Sequence, residues 1–287
     1  MISGTLLTIA ILSLAFRGLE LGIDFLGGME FIVETDERLS SVEVRGQLAG
    51  PLGSEPEVRS FDADMLLIRT AVEGEISDIQ EIIMGTFAEV YPEANATLQG
   101  TDVVGPRFAA DLQRGAIYSI LGALLVIFLY ILIRFEWRFG LGSVAALFHD
   151  VIIVLGLFSL LQGLVPFSVQ IDQAIIAAFL TIVGYSLNDT VVVFDRIREF
   201  TNLFKTDPYD DVVNRSINAT LSRTVVTSVT TLLVVTILFI FGGEVLRGFS
   251  FALICGVIIG TYSSVFVASQ VVVELNLRRI RAKKAKR

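Results

Sequence analysis

The chain has 287 residues, 53% of them hydrophobic and 18% charged, with a mean hydropathy of +0.71. That apolar excess is more than a soluble core needs and points to an integral membrane protein with a polar insert. The net charge of −8 is uneven, with 19 acidic and 7 basic residues between Arg17 and Arg114 against 11 and 15 elsewhere, which argues against a nucleic-acid surface.

Residues 2–16 are apolar, short against the roughly twenty residues of a spanning helix. Ser13-Leu-Ala15 has the small-residue look of a cleavage site, but no Lys or Arg precedes the run as a signal peptide requires. We read it as a first transmembrane helix, with a signal peptide as the alternative. In Gly22-Ile-Asp-Phe-Leu-Gly-Gly28, the paired glycines suit a tight bend or close backbone approach, and Asp24 is placed to cap that bend.

Residues 29 to about 104 carry an α+β pattern. Met29, Phe31 and Val33 alternate as one strand face. Ser40-x-x-Glu43 reads as a capping box opening a helix to Leu48, ended by Gly50-Pro-Leu-Gly53. Strands are expected at Glu57–Phe61 and Met65–Thr70 around an Asp62-Ala-Asp64 turn, then a helix over Glu75–Val90 and a last strand over Ala96–Val103. The order β-α-β-β-α-β is the ferredoxin-like split. Its carboxylates are scattered, so this segment reads as a binding module without a catalytic site.

Five further apolar runs span about Gly115–Ile133, Phe139–Leu161, Ala174–Phe194, Thr224–Phe241 and Phe249–Val273. The expectation is a polytopic α-helical membrane protein of six transmembrane helices, with the α+β domain inserted after the first. The segments are 1–17, 18–113, 114–273 with a loop at 195–223, and a basic tail at 274–287. The tail carries seven basic residues and the 195–223 connector five, whereas the connectors Gln162–Asp172 and Gly242–Gly248 carry only Arg247. By the positive-inside rule, tail and loop are cytoplasmic and the acidic domain faces outward. The tail reads as an anchor on anionic lipid rather than a nucleic-acid patch. Within the loop, Val212, Val213 and Ile217 suggest a short amphipathic helix lying on the membrane.

Charges inside the apolar runs are expensive and usually aimed at a partner or a water path. At 3.6 residues per turn, Tyr185, Asn188, Asp189, Val192 and Arg196 share one helix side and form a polar seam with Thr190 and Asp195 nearby. Asp189 and Arg223 are the proton-coupling candidates, because a carboxylate whose distance from a guanidinium changes can take up and release a proton. Thr227, Ser228, Thr230 and Thr231 are placed to hydrate such a path. A static brace uses the same residues, and for His149-Asp150 the brace and the proton site both stay open. The lone Cys255 allows no intrachain disulfide, and without HExxH or a Cys/His cluster no metal, cofactor or catalytic site is expected. Gly256-x-x-x-Gly260 marks close helix packing.

Gly22–Gly28, Arg134-Phe-Glu-Trp-Arg138, Ala146-Leu-Phe-His-Asp150, Gly184–Glu199, Thr220-Leu-Ser-Arg-Thr224, Thr227–Leu232, Phe241-Gly-Gly243 and Gly260-Thr-Tyr-Ser-Ser264 together resemble the SecF family of protein-export membrane subunits. The resemblance implies a bundle of the resistance–nodulation–division type in the cytoplasmic (inner) membrane, a periplasmic ferredoxin-like domain, and both termini cytoplasmic. It also implies a non-enzymatic accessory role, coupling the proton-motive force to late translocation with SecD, the SecYEG channel, YajC and the unfolded exported chain as partners. By motif, the family's proton-pathway acid and arginine fall on Asp189 and Arg223. Many members begin with a basic stretch, whereas this chain starts directly in the span, as from an upstream start or a fused SecD–SecF polypeptide. Leu26 stands where the family often has a polar residue. A small-molecule exporter built on the same bundle and a purely structural partner of SecD are the alternatives; an intramembrane protease lacks its aspartate pair or metal motif.

Overall fold

The computed structural model describes residues 2–54, 56–62, 64–72, 74–165 and 167–284. They form two units, one of residues 20–117 with 162–173, the other of residues up to 19 with 118–161 and 174 onward. Helix α1 (Ile2–Arg17) begins the second unit, and α2 (Ile23–Leu26) is a single turn in the first. Strand β1 (Gly28–Glu34), α3 (Ser41–Leu52), β2 (Glu57–Asp62), β3 (Met65–Thr70), α4 (Ile76–Val90) and β4 (Thr97–Val104) follow. The long helices are α5 (Pro106–Arg134), α6 (Trp137–Leu161), α7 (Gln173–Leu203) and α8 (Tyr209–Phe241). Then α9 (Gly243–Ser263) passes through a π turn (Ser264–Ala268) into α10 (Ser269–Lys284).

In the first unit the sheet order is β2-β3-β1-β4, with every neighbouring pair antiparallel. Period-2 alternation turns Met29, Phe31 and Val33 to one face, where Phe31, Ile68, Val44, Leu48, Ile83 and Phe87 close a core under α3 and α4. The expected capping box does not form: Ser40 is the N-cap residue of α3 without a side-chain bond, and the helix continues through Pro51 to a left-handed Gly53. The turn foreseen at 62–64 includes Ala63, which lies outside the described residues, as do the last three residues of the basic tail.

Charges occupy the other face of the sheet. Arg69 stands in register between Glu30 and Glu57, with its Nε 3.0 Å from Glu30 Oε2. Arg59 contacts Glu20 and Glu57. Burial, and then the positive charge of Arg69, bring the Arg59 guanidinium down to about 10, still charged at neutral pH. Gln170, from the segment between α6 and α7, joins the set: its Nε2 donates to Glu20 Oε1 (2.5 Å) and Glu57 Oε1 (2.6 Å), and its Oε1 accepts from Arg69. Backbone bonds add Ile171 N to Glu20 O (2.7 Å) and Gly22 N to Ile171 O (2.8 Å). Asp24 caps the start of α7, accepting from Gln173 N at 2.9 Å, rather than the bend expected from sequence. At Gly28 φ is +135°, and an added Cβ would lie 2.7 Å from Thr70 O, so only glycine fits there.

In the second unit small residues let helices approach closely. An added Cβ on Gly156 would meet Ala10 at 2.2 Å, and one on Gly256 would meet Ile182 at 2.2 Å. Ser13 and Ser159 hydroxyls join α1 to α6 at 2.9 Å. Five described helices are long and apolar enough to cross a membrane, at Pro106–Arg134, Trp137–Leu161, Gln173–Leu203, Tyr209–Phe241 and Leu246–Arg279; α1 is apolar but shorter.

The expected loop at 195–223 is mostly helix. α7 runs on to Leu203, and α8 starts at Tyr209 behind Pro208, which disfavours helix at the residue before it. The apolar run ends near Phe194, but good helix formers and the Arg196–Glu199 pair (2.9 Å) carry the helix beyond it. The amphipathic stretch is therefore the opening of α8, with Val213 packed into a cluster with Val193, Phe194 and Ile197. α5 likewise begins at Pro106, earlier than the apolar boundary at 114, and Gly242–Gly248 is almost wholly inside α9.

Candidate functional site in the helix bundle

Helical periodicity places Ile182, Ser186, Asp189, Thr190, Val193 and Ile197 on the buried stripe of α7. Asn188, expected on the seam, is exposed: adjacent residues lie 100° apart around a helix, and Asp189 takes the inward side. Tyr185 is half-buried, its hydroxyl 3.5 Å from Ser228 Oγ of α8, which is 2.7 Å from Thr261 Oγ1 of α9. Thr190 donates to Ser186 O of its own helix (3.0 Å). Asp195 and Arg196 lie outside this core: Asp195 pairs with Arg134 at 3.5 Å, and Arg196 pairs with Glu199 and lies over the Phe200 ring.

His149 and Asp150 are 4% and 1% exposed and form one site with α7 and α9. His149 Nδ1 is 3.0 Å from Asp150 Oδ1, while Asp150 Oδ2 accepts from Ser186 Oγ (2.6 Å) and Ser263 Oγ (2.7 Å). The imidazole stacks near Tyr262, whose hydroxyl is 3.0 Å from Ser3 Oγ of α1. Asp150 is thus fully answered. Among the described residues His149 Nε2 is buried without a hydrogen-bond partner.

Asp189 is handled differently. It is 4% exposed, and among the described residues its Oδ2 has no hydrogen-bond partner, nor has Thr224 Oγ1 on α8. Arg223 is exposed and forms no ion pair with Asp189, so its charge acts through space rather than by contact. Of the threonines expected to hydrate a path, Thr227 and Thr230 are exposed and Thr231 is half-buried, all three bonding their own helix carbonyls, whereas Ser228 faces inward. Among the described residues no group of three or more His, Cys, Asp or Glu could hold a metal ion.

Sequence reasoning carried Ser186 and Ser263 only inside the Gly184–Glu199 and Gly260–Ser264 motifs, with no partner assigned to either. Ser186 lies one turn before Asp189, and Ser216, Thr220, Thr224 and Ser228 repeat every four residues on the buried side of α8. A search for hydroxyls at helical spacing from each acid would have found both sets.

These features define a polytopic membrane protein whose spanning helices enclose a hydroxyl-lined acidic core, with an α+β unit inserted in the chain. Residues 84–278 match the family model for the C-terminal region of the protein export membrane proteins SecD and SecF, and residues 12–37 match the SecD/SecF GG motif. The chain is 66% identical over 276 residues to protein translocase subunit SecF of Rhodothermus marinus, covering 96% of this chain and 90% of that one. The crystal structure of SecDF, a translocon-associated membrane protein from Thermus thermophilus, superposes with a TM-score of 0.84 at 38% identity over 96% of this chain. A second SecDF crystal structure, in a super-membrane-facing form, gives 0.72 at 36% identity over 100% of it. This chain spans only 37% and 39% of those two SecDF chains. The chain belongs to the SecF family.

Proposed function

We propose that the chain is a proton-coupled accessory subunit of Sec protein export, acting with SecD to turn the proton-motive force into late movement of the exported chain. In this reading it is a non-enzymatic, six-span protein of the cytoplasmic (inner) membrane, with α1 as the remaining span. Residues 18–113 form a ferredoxin-like periplasmic domain, and both termini are cytoplasmic. The strand order of the sheet and its β-α-β-β-α-β sequence support the ferredoxin-like assignment. The partners are SecD, the SecYEG channel, YajC, the unfolded polypeptide and membrane lipid, with no cofactor and no nucleic acid.

One observation carries the reading: the Asp189 carboxyl is buried on a spanning helix with Oδ2 unanswered. Leaving a buried polar group unpaired costs about 1–3 kcal/mol, an expense a static brace avoids by being bonded, as Asp150 is. A carboxyl that gains and loses a proton needs slack around it. Arg223, near but out of contact, can favour the charged form in one arrangement and release it in another. Each proton crossing contributes about 2.3 kcal/mol per 100 mV, enough to bias a two-state motion.

The test is export of a secreted protein into inverted membrane vesicles carrying Asp189→Asn, with assembly with SecD measured in parallel. Loss of the proton-motive-force-dependent increment, with assembly intact, is the expected result. An unchanged increment overturns the reading, and a dissociated complex would favour the structural-partner alternative.

A further inference from the structure

We propose that His149 and Asp150 form a second proton-holding site in the bundle core, linked to Asp189 through Ser186. The inference rests on the proton-coupled reading above and adds a second station to it.

Charge accounting points to this role. Asp150 Oδ2 receives two hydroxyls at 2.6 and 2.7 Å while Oδ1 faces His149 Nδ1, an arrangement suited to an ionised carboxylate. Asp150 is 1% exposed, and among the described residues no Lys or Arg forms an ion pair with it. A lone anion there is unfavourable in a membrane interior. One proton held along the contact between His149 Nδ1 and Asp150 Oδ1 balances it. The pair is therefore neutral with that proton, shared along the Nδ1–Oδ1 contact, and negative without it.

The surroundings leave room for exchange at one atom. α7 presents Ser186 and, one turn on, Asp189; α9 presents Ser263 and Tyr262; α1 reaches the group through Ser3 on the Tyr262 hydroxyl. His149 Nε2 remains buried and unpartnered, so the imidazole is held on one side and open on the other. Ser186 is the side chain through which we link the two acids, since its Oγ bonds Asp150 and it lies one turn before Asp189 on the same buried stripe of α7. A brace would need only a hydrogen-bond donor at position 149; a proton-holding site needs a group that titrates.

His149 is the chain's only histidine, which makes a direct measurement possible. In a reconstituted complex with SecD in which only this subunit carries [15N]histidine, nuclear magnetic resonance reads one imidazole. The expected result is a change from the doubly protonated ring to the neutral Nδ1–H tautomer as pH is raised; a single unchanging form at all pH values overturns the proposal. His149→Gln keeps a donor to Asp150 but cannot titrate, and it should lose one limb of the pH profile of proton-driven export while still assembling with SecD. A wild-type profile in His149→Gln beside a lost increment in Asp189→Asn removes this second site alone. A normal increment in Asp189→Asn removes the underlying reading. Ser186→Ala should slow the driven step and keep the shape of the profile; an unchanged rate removes the link through Ser186.

Discussion

The charged face of the sheet and the polar core of the bundle both bury ionisable groups, and they handle them in opposite ways. On the sheet, Arg69 and Arg59 lie against Glu30, Glu57 and Glu20, with Gln170 bonded into the same set. In the bundle Asp150 is met by two serines and a histidine, and Asp189 Oδ2 by nothing. Opposite charges in direct contact make a fixed structure. Hydroxyls and unfilled hydrogen-bonding positions leave a carboxyl able to change its proton count. The first arrangement holds the residues around 170 to the sheet; the second is the geometry on which the proton-coupling proposal rests.

The comparison can be broken by substitution. Arg69→Ala should have the largest effect on stability, about 3 kcal/mol, since it strands Glu30 on a half-buried face and leaves Glu57 only Arg59 and Gln170. Thermal unfolding in detergent would read it, and a loss below about 1 kcal/mol would mean the network is decorative. Ser263→Ala should cost about 2 kcal/mol by removing one of two hydroxyls on the Asp150 carboxylate. If it costs nothing, Asp150 is not held as an ion. Ser13→Ala removes a neutral hydroxyl pair between α1 and α6 and should cost only about 0.6 kcal/mol by the same assay. Asp189→Asn sharpens the contrast most: it should destabilise by less than about 1 kcal/mol, because no bond to Oδ2 is lost. A large destabilisation there would place Asp189 with the sheet network, as structure rather than machinery.

Much of the fold was legible. Strand β3 falls at Met65–Thr70 as read from alternation, and the β-α-β-β-α-β order follows from switches between periods of two and 3.6. The long apolar runs located the five long apolar helices, and the motif around Asp189 marked the helix that carries that buried acid. The seam was only half legible. Periodicity says which residues share a side, but not which side faces inward, so Asn188 was placed beside Asp189 and Ser186 was assigned no partner. In the 195–223 connector the helix read around Val212 and Val213 is present but continues into α8, because apolar composition reports where the hydrocarbon ends, whereas backbone hydrogen bonding decides where a helix ends.

By itself, then, the sequence determined the five long apolar helices, the inserted α+β segment, the family resemblance and the identity of the acids within the apolar runs. These depend on composition and on spacing within single elements. Only the tertiary structure decided which acid is answered and which is left open. Asp150 receives its hydroxyls from residues 36 and 113 positions away in the chain, a meeting that exists only once α6, α7 and α9 have packed.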